Sequence, residues 1–135
     1  MEAVMTRMRR KQCLQHLAEQ SIGRVAVTAQ ALPAIFPVNY ALQDDAVVFR
    51  TTADGLLAGS CDSNVVAFEV DDLAADGSKG WSVLVVGVAT LLVGRDAQRA
   101  AELNLASAMG EGRDQFVAVS VGRVSGRYVG RGERP

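Results

Sequence analysis

The chain is short of the residue types with which a protein catalyses or cross-links unaided. It has one histidine, His16, and two cysteines, Cys13 and Cys61, set far apart in 135 residues. Neither cysteine belongs to a CxxC or Cys/His cluster, which argues against a disulfide scaffold and against zinc, and the expectation is two buried free thiols. No GxSxG or HExxH pattern occurs, so triad hydrolysis and protein-bound metal catalysis both lose support. Charge of one sign is also lacking. Lys and Arg number 14 against 15 Asp and Glu, for a net charge of -1, without the basic excess that phosphate-backbone binding draws on. Nucleic acid is not an expected partner. Long apolar runs are absent too: Val83 to Val93 is interrupted by Gly87 and Thr90, short of the roughly 20 residues that span a bilayer. No membrane partner is expected. The basic segment from Met5 to Lys11 runs into Gln12, Gln15 and His16, where a signal peptide carries its apolar stretch. The expected location is the cytoplasm.

Hydrophobic residues make up 49% and charged residues 21%, enough apolar surface for one core and one domain over residues 1–135. Met8, Leu14 and Leu17 recur near helical spacing among polar side chains, predicting a helix over about residues 6–20, stopped by Ser21-Ile22-Gly23. Stretches rich in β-branched and aromatic residues predict strands at 24–28, 34–42, 46–50, 65–70, 81–93, 115–120 and 124–129. Asp44-Asp45 reads as a hairpin turn. Pro33 and Pro37 restrict their strand to an edge or bulge, and Gly87 marks a bend in the long strand. Helices are expected over 54–62 and 96–109, the latter with Asp96 as its N-cap. A charged tail follows at 130–135. The order lacks the regular strand–helix alternation of a parallel sheet, and an antiparallel barrel with flanking helices fits better.

The segment Val47 to Gly55 carries the most chemistry. A strand delivers Arg50, Thr51 and Thr52 to the start of a helix, where the guanidinium can fork onto a phosphate and hydroxyls and free N–H groups add donors. The competing reading makes Thr52 or Asp54 a cap and pairs Arg50 with a carboxylate; spacing alone leaves both open. Glu69, Asp71 and Asp72 could hold a cation, although such a set more often solvates a strand end. The terminal glycines form no GxGxxG between a strand and a helix, so no Rossmann site is indicated. If the chain is an enzyme, a bound cofactor carries the hard chemistry.

Several blocks, in order and spacing, resemble one family: Ser21-Ile22-Gly23-Arg24-Val25-Ala26, Phe36-Pro37-Val38-Asn39-Tyr40, Phe49-Arg50-Thr51, Val66 to Asp72, Gly80 to Gly87, and Val124-Ser125-Gly126-Arg127. Over most of its length the chain resembles the pyridoxamine 5′-phosphate oxidase-like, FMN-binding split-barrel family, in its small actinobacterial-type members. The resemblance implies a mainly β fold, a six-stranded antiparallel split barrel, and a homodimer holding a flavin in the groove between subunits, with two equivalent sites.

Carried over by position, Pro37, Val38, Asn39 and Tyr40 would line the flavin ring. Arg50, Thr51 and the neighbouring Thr52 would contact the ring edge or the phosphate, and Trp81 and Ser82 would approach from the long strand. Relatives place a phosphate-binding lysine where this chain has Leu56; Arg50, Arg24 or a partner's arginine could compensate. Read without the resemblance, Trp81 and Phe68 are core residues and Arg127 a solvated charge, whereas Asn39 and Tyr40 beside Pro37 have no obvious core use. The implied function is an FMN-dependent oxidoreductase acting with a small-molecule substrate or electron donor. A deazaflavin could replace FMN in this fold, and so could haem, although the single histidine disfavours it. Pyridoxamine phosphate oxidation itself is not expected, because a second phosphate and an amine would call for more cationic and histidine side chains. The alternative function is a non-catalytic flavin, deazaflavin or small-ligand binding protein, with Leu56 in favour.

Overall fold

The computed structural model describes residues 4–52, 56–105 and 114–130. Its elements are β1 (Val4–Arg7), α1 (Arg10–Glu19), β2 (Ile22–Ala29), β3 (Leu32–Gln43), β4 (Ala46–Thr52), α2 (Leu56–Cys61), β5 (Val65–Leu73), β6 (Gly80–Leu91), α3 (Gly94–Ala101), β7 (Asp114–Ser120) and β8 (Arg123–Gly130). The sheet runs β1-β8-β6-β5-β2-β3-β4-β7, and β7 pairs back onto β6. Six strands, β6-β5-β2-β3-β4-β7, therefore close an antiparallel barrel, while β8 and β1 extend the sheet from β6.

Two tight turns set the hairpin registers. Gln30 and Ala31 (φ 51° and 65°) join β2 to β3, and Asp44 and Asp45 (φ 52° and 59°) join β3 to β4. Consecutive left-handed residues make the twist that two-residue hairpin loops require. The Asp-Asp turn is expected from sequence. The Gln-Ala turn is carried by residues that rarely take this conformation.

Alternation along each strand fills the barrel with Val25, Val27, Val38, Tyr40, Phe49, Phe68, Val70, Val83, Val85, Val117 and Val119, all buried. Helix α1 closes the end where β2 begins, inserting Cys13 and Leu17; α2 closes the other with Leu57 and Cys61. Helix α3 covers the outside of β4 and β7, where Ala100 meets Val48 and Phe116.

Strand β6 changes partners along its length. Gly80 to Val86 pair with β8, and Ala89 to Leu91 pair with β7. Gly87 stands at the exchange, where a Cβ would lie 2.8 Å from the carbonyl oxygen of Ser120. The absent side chain lets the two backbones approach at the bend.

Three expectations change. The first helix begins at Arg10 rather than near residue 6, because Val4 to Arg7 pair with β8 and the Met8 N–H donates to the Gly126 carbonyl at 2.9 Å. Gln12 caps the shortened helix, its Oε1 accepting from the Arg9 N–H at 3.0 Å. The later helix covers Gly94–Ala101 with Asp96 inside its first turn, not as its N-cap. It is followed by turns that end in left-handed Asn104 (φ 54°); positions 106–109 lie outside the described residues. The long strand stops at Leu91, and of the helix expected over 54–62, positions 54 and 55 also lie outside the described residues.

Candidate functional site

The barrel is split along one side. Strand β3 pairs with β2 from Leu32 to Asn39, but with β4 only from Tyr40 to Gln43. Beyond that point β4 turns away toward α2. Among the described residues, the edge of β3 from Pro33 to Pro37 therefore has no strand beside it on the β4 side. The Tyr40 N–H donates toward β2, to the Ser21 carbonyl at 3.0 Å, so strand alternation turns the backbone of Pro33, Ile35, Pro37 and Asn39 toward the split. The two prolines thus place their missing N–H groups where the described residues offer no ladder partner, the position strand prolines tolerate.

Asn39 and Arg50 flank the mouth of this split, the next residues beyond the Tyr40–Phe49 pair. Arg50 is half-buried, and its Nη1 donates to the Leu105 carbonyl at 2.9 Å. That bond holds the guanidinium beside the end of β4. Thr52 ends β4 and Leu56 begins α2; their side chains, and positions 53–55, lie outside the described residues.

The Pro37–Tyr40 block divides by strand period. Pro37 and Asn39 face outward, while Val38 and Tyr40 are buried. Tyr40 has a core role that the sequence hides: its hydroxyl donates to the Leu17 carbonyl at 2.7 Å, and its ring stands edge-on to Phe68 with centroids 4.8 Å apart. Burial pushes its phenol well above the ordinary range. Thr51 and Trp81 also point inward. Trp81 stacks on His16 at 4.1 Å, and His16 Nε2 lies 2.9 Å from the Tyr128 hydroxyl. His16 Nδ1 is buried with no hydrogen bond, 3.9 Å from Glu19 Oε2. Ser82 is half-buried on the outer face, opposite Asp71 on one side and Arg127 on the other. The structure thus places Pro37, Asn39 and Arg50 near one another by register on the outer side of β3 and β4, and sends Val38, Tyr40, Thr51 and Trp81 to the interior behind them.

A charged cluster lies on the same outer face. Arg24 sits between Pro37 and Glu69 in the cross-strand row. Its Nη1 donates to Glu69 at 3.0 Å and to Asp71 at 3.3 Å. Burial, then the neighbouring Asp71, pushes the Glu69 carboxyl up to about 7, while Arg24 opposes the shift. Alternation alone puts Glu69 and Asp71 on one face; their arginine is 45 positions away from Glu69 and is invisible without the register. Among the described residues no cluster of three His, Cys, Asp or Glu could hold a metal ion.

The raised Glu69 carboxyl predicts a pH dependence. Between about pH 4.5 and 7 the unfolded chain releases this proton while the folded chain keeps it, so stability falls as pH rises through that window. Asp44 and Asp76 are lowered from 3.8 and act below it. Urea midpoints of the native chain are expected to decline from pH 5 to 7, and Glu69→Gln to flatten the decline. A native midpoint that climbs throughout would contradict the shift.

Around the cluster the outer face is apolar. Ile35, Ala26, Ala67 and Val86 form one cross-strand row, and Val65 and Val88 the next. Ile35, Val65 and Val88 are 67%, 65% and 51% exposed, a contiguous patch of the kind that marks an interface.

Comparison with known proteins adds four findings. A family model described as pyridoxamine 5′-phosphate oxidase matches residues 9–128. The chain is similar to the FAD binding protein from Mycobacterium smegmatis, with 29% identity, coverage of 95% of this chain and 99% of that one, and a TM-score of 0.78. It is also similar to a conserved protein of unknown function from Corynebacterium diphtheriae, at 32% identity, 91% and 96% coverage, and a TM-score of 0.75. Among curated proteins, an uncharacterized protein of Mycobacterium tuberculosis is 45% identical over 86 residues, which span 60% of this chain and 57% of that relative's length.

Proposed function

The chain belongs to the pyridoxamine 5′-phosphate oxidase family, and from that premise we propose that it is a flavin-dependent oxidoreductase holding its cofactor in the split between β3 and β4. The unpaired edge of β3 carries this reading. It offers the Ile35 N–H and the carbonyls of Pro33, Ile35 and Pro37 to the polar rim of a planar heterocycle, beside the Asn39 amide. Arg50, fixed by the Leu105 carbonyl, is the cation for the phosphate. When bound, the flavin supplies the electron transfer. The protein binds and orients it, and the interior side chains Val38, Tyr40 and Thr51 hold the backbone of the groove rigid from behind.

The exposed apolar rows of β3, β5 and β6 fit a second copy of the chain, which would cover each groove from outside and give two equivalent sites. No helix among the described residues is long and apolar enough to cross a membrane. Free Cys13 and Cys61, both buried, suit a reducing compartment and a cytoplasmic assignment.

Leu56 favours a second reading, a binding protein that retains the groove without turnover. One experiment separates the two: the absorption spectrum of freshly purified protein, then titration with FMN and addition of a nicotinamide donor. The oxidoreductase predicts a flavin band, present or acquired with a shift, that is bleached by the donor and restored by an acceptor. Binding without bleaching gives the second reading. A colourless protein that ignores flavin overturns the oxidoreductase.

A further inference from the structure

The two carboxyl groups of the Arg24 cluster stand in the middle of an apolar face. Glu69 and Asp71 are outward residues of β5, and the same face of the sheet carries Ile22, Ile35, Val65, Leu73, Leu84 and Val88, all exposed. Leu84 stands directly across from Glu69 on β6, Val65 and Leu73 mark the two ends of β5, and Ile35 is the next outward residue from Pro37, the neighbour of Arg24. Charge at the centre of this face does not balance. Arg24 is shared between two carboxyl groups, its Nη1 3.0 Å from Glu69 and 3.3 Å from Asp71. Glu69 and Asp71 also hydrogen-bond to each other, and a bond between two carboxyl groups requires that one of them carry a proton. The residues facing them from β6 are Leu84 and Ser82, neither charged. Arg127 of β8 enters one strand further on, opposite Ser82.

With the proton in place the cluster is neutral: a guanidinium, a carboxylate and a carboxylic acid. Without it the cluster carries a surplus negative charge. The side chains of Glu69 and Asp71 are 35% and 25% exposed in the single chain, so a partner seated on this face removes the water that serves them. Burying a neutral, hydrogen-bonded cluster costs little, whereas burying its surplus charge costs far more. We propose that association of two copies through this face is coupled to protonation, each chain bringing a Glu69–Asp71 pair that holds one proton in the dimer. The inference rests on the second-copy reading above and adds its regulation. Mildly acid conditions favour the dimer, and with it the covered groove, and alkaline conditions loosen it. In the single chain Glu69 releases its proton at about pH 7, so the dissociation constant is expected to rise about 100-fold from pH 6 to pH 8, about tenfold for each chain.

Sedimentation equilibrium of the native chain at pH 6, 7 and 8, at one ionic strength, measures that constant. Glu69→Gln keeps a neutral group that can donate to Asp71 and removes the titration. It should dimerise at pH 8 about as tightly as native protein does at pH 6 and lose the pH dependence. Asp71→Asn reaches the same charge balance from the other side, leaving Glu69 and Arg24 as a neutral pair, and should behave alike, so the result does not hang on how one variant folds. Glu69→Gln leaves His16 in place, and a pH dependence that survives in this variant overturns the assignment. A native dimer of constant affinity from pH 6 to pH 8 also overturns it, as does one that tightens toward pH 8, the outcome if arginines of the second copy took up the surplus charge. Those results leave the second-copy reading standing. A chain that stays monomeric at every pH removes that reading and this inference together.

Discussion

Replacing Phe68 with Ala will lower the stability of the fold by about 3–5 kcal/mol, the usual cost of emptying a large aromatic site in a core. Phe68 is fully buried at the centre of the barrel, edge-on to Tyr40, whose hydroxyl ties β3 to the Leu17 carbonyl of α1. The ring also explains Gly23. A Cβ at that position would enter the van der Waals surface of Phe68, lie 2.7 Å from its Cε1, and approach the Glu69 carbonyl oxygen at 3.1 Å. Gly23→Ala alone is therefore expected to cost about 1–3 kcal/mol through overpacking. The two positions compete for one volume, so their effects will not add. In the Phe68→Leu background, Gly23→Ala should cost less, with a coupling of about 0.5–3 kcal/mol. Urea denaturation of the native, single and double variants measures this directly. Losses that sum within error would show that Gly23 is required for some reason other than the ring.

Leu56→Lys is the second large effect, and it acts on affinity. The position opens α2 directly beyond the end of β4, where the family resemblance places a lysine that reaches the cofactor phosphate. A charge-assisted hydrogen bond contributes about 1.5–3 kcal/mol, equivalent to roughly 10- to 150-fold in dissociation constant. Leu56→Lys should tighten FMN by an amount in that range and leave riboflavin, which lacks the phosphate, unchanged. If both ligands tighten together, the gain comes from somewhere other than the phosphate. If neither changes, residue 56 does not face the cofactor and Arg50 holds the phosphate alone.

The strands and the hairpin at Asp44-Asp45 were readable because each rests on short-range chemistry, a period of two or a turn residue. Pro33 and Pro37 pointed to an edge or a bulge, and among the described residues their strand has a free edge there. Strand β1 was not readable. Val4 to Arg7 carry no strong pattern of their own and are extended only because β8, more than 115 positions later, offers an edge. The same limit applies to the Arg24–Glu69 contact and to the partner exchange of β6, which depend on register rather than composition. The block from Pro37 to Tyr40 shows the boundary most clearly. Its alternation separates outward Pro37 and Asn39 from inward Val38 and Tyr40, but the sequence does not say which face is the core. A tyrosine hydroxyl that finds a helix carbonyl 23 residues earlier looks like a spare polar group until the helix is in place.

The exchange of partners at Gly87 bears on how the chain is made. Strands β2 and β3, and β5 and β6, pair as hairpins, and β2 meets β5 across about 45 residues that are already made, so this half of the barrel can assemble while the chain is still emerging from the ribosome. Closure must wait for β7, which joins β4 to β6 from about 70 residues beyond β4. Until then β4 and the second half of β6 present bare edges, the state in which nascent β proteins are most exposed to intermolecular pairing. The β4–β7 pairing is a long-range contact of the kind that lengthens folding times. The stretch of greatest vulnerability in synthesis falls between the completion of β6 and the release of the last strands.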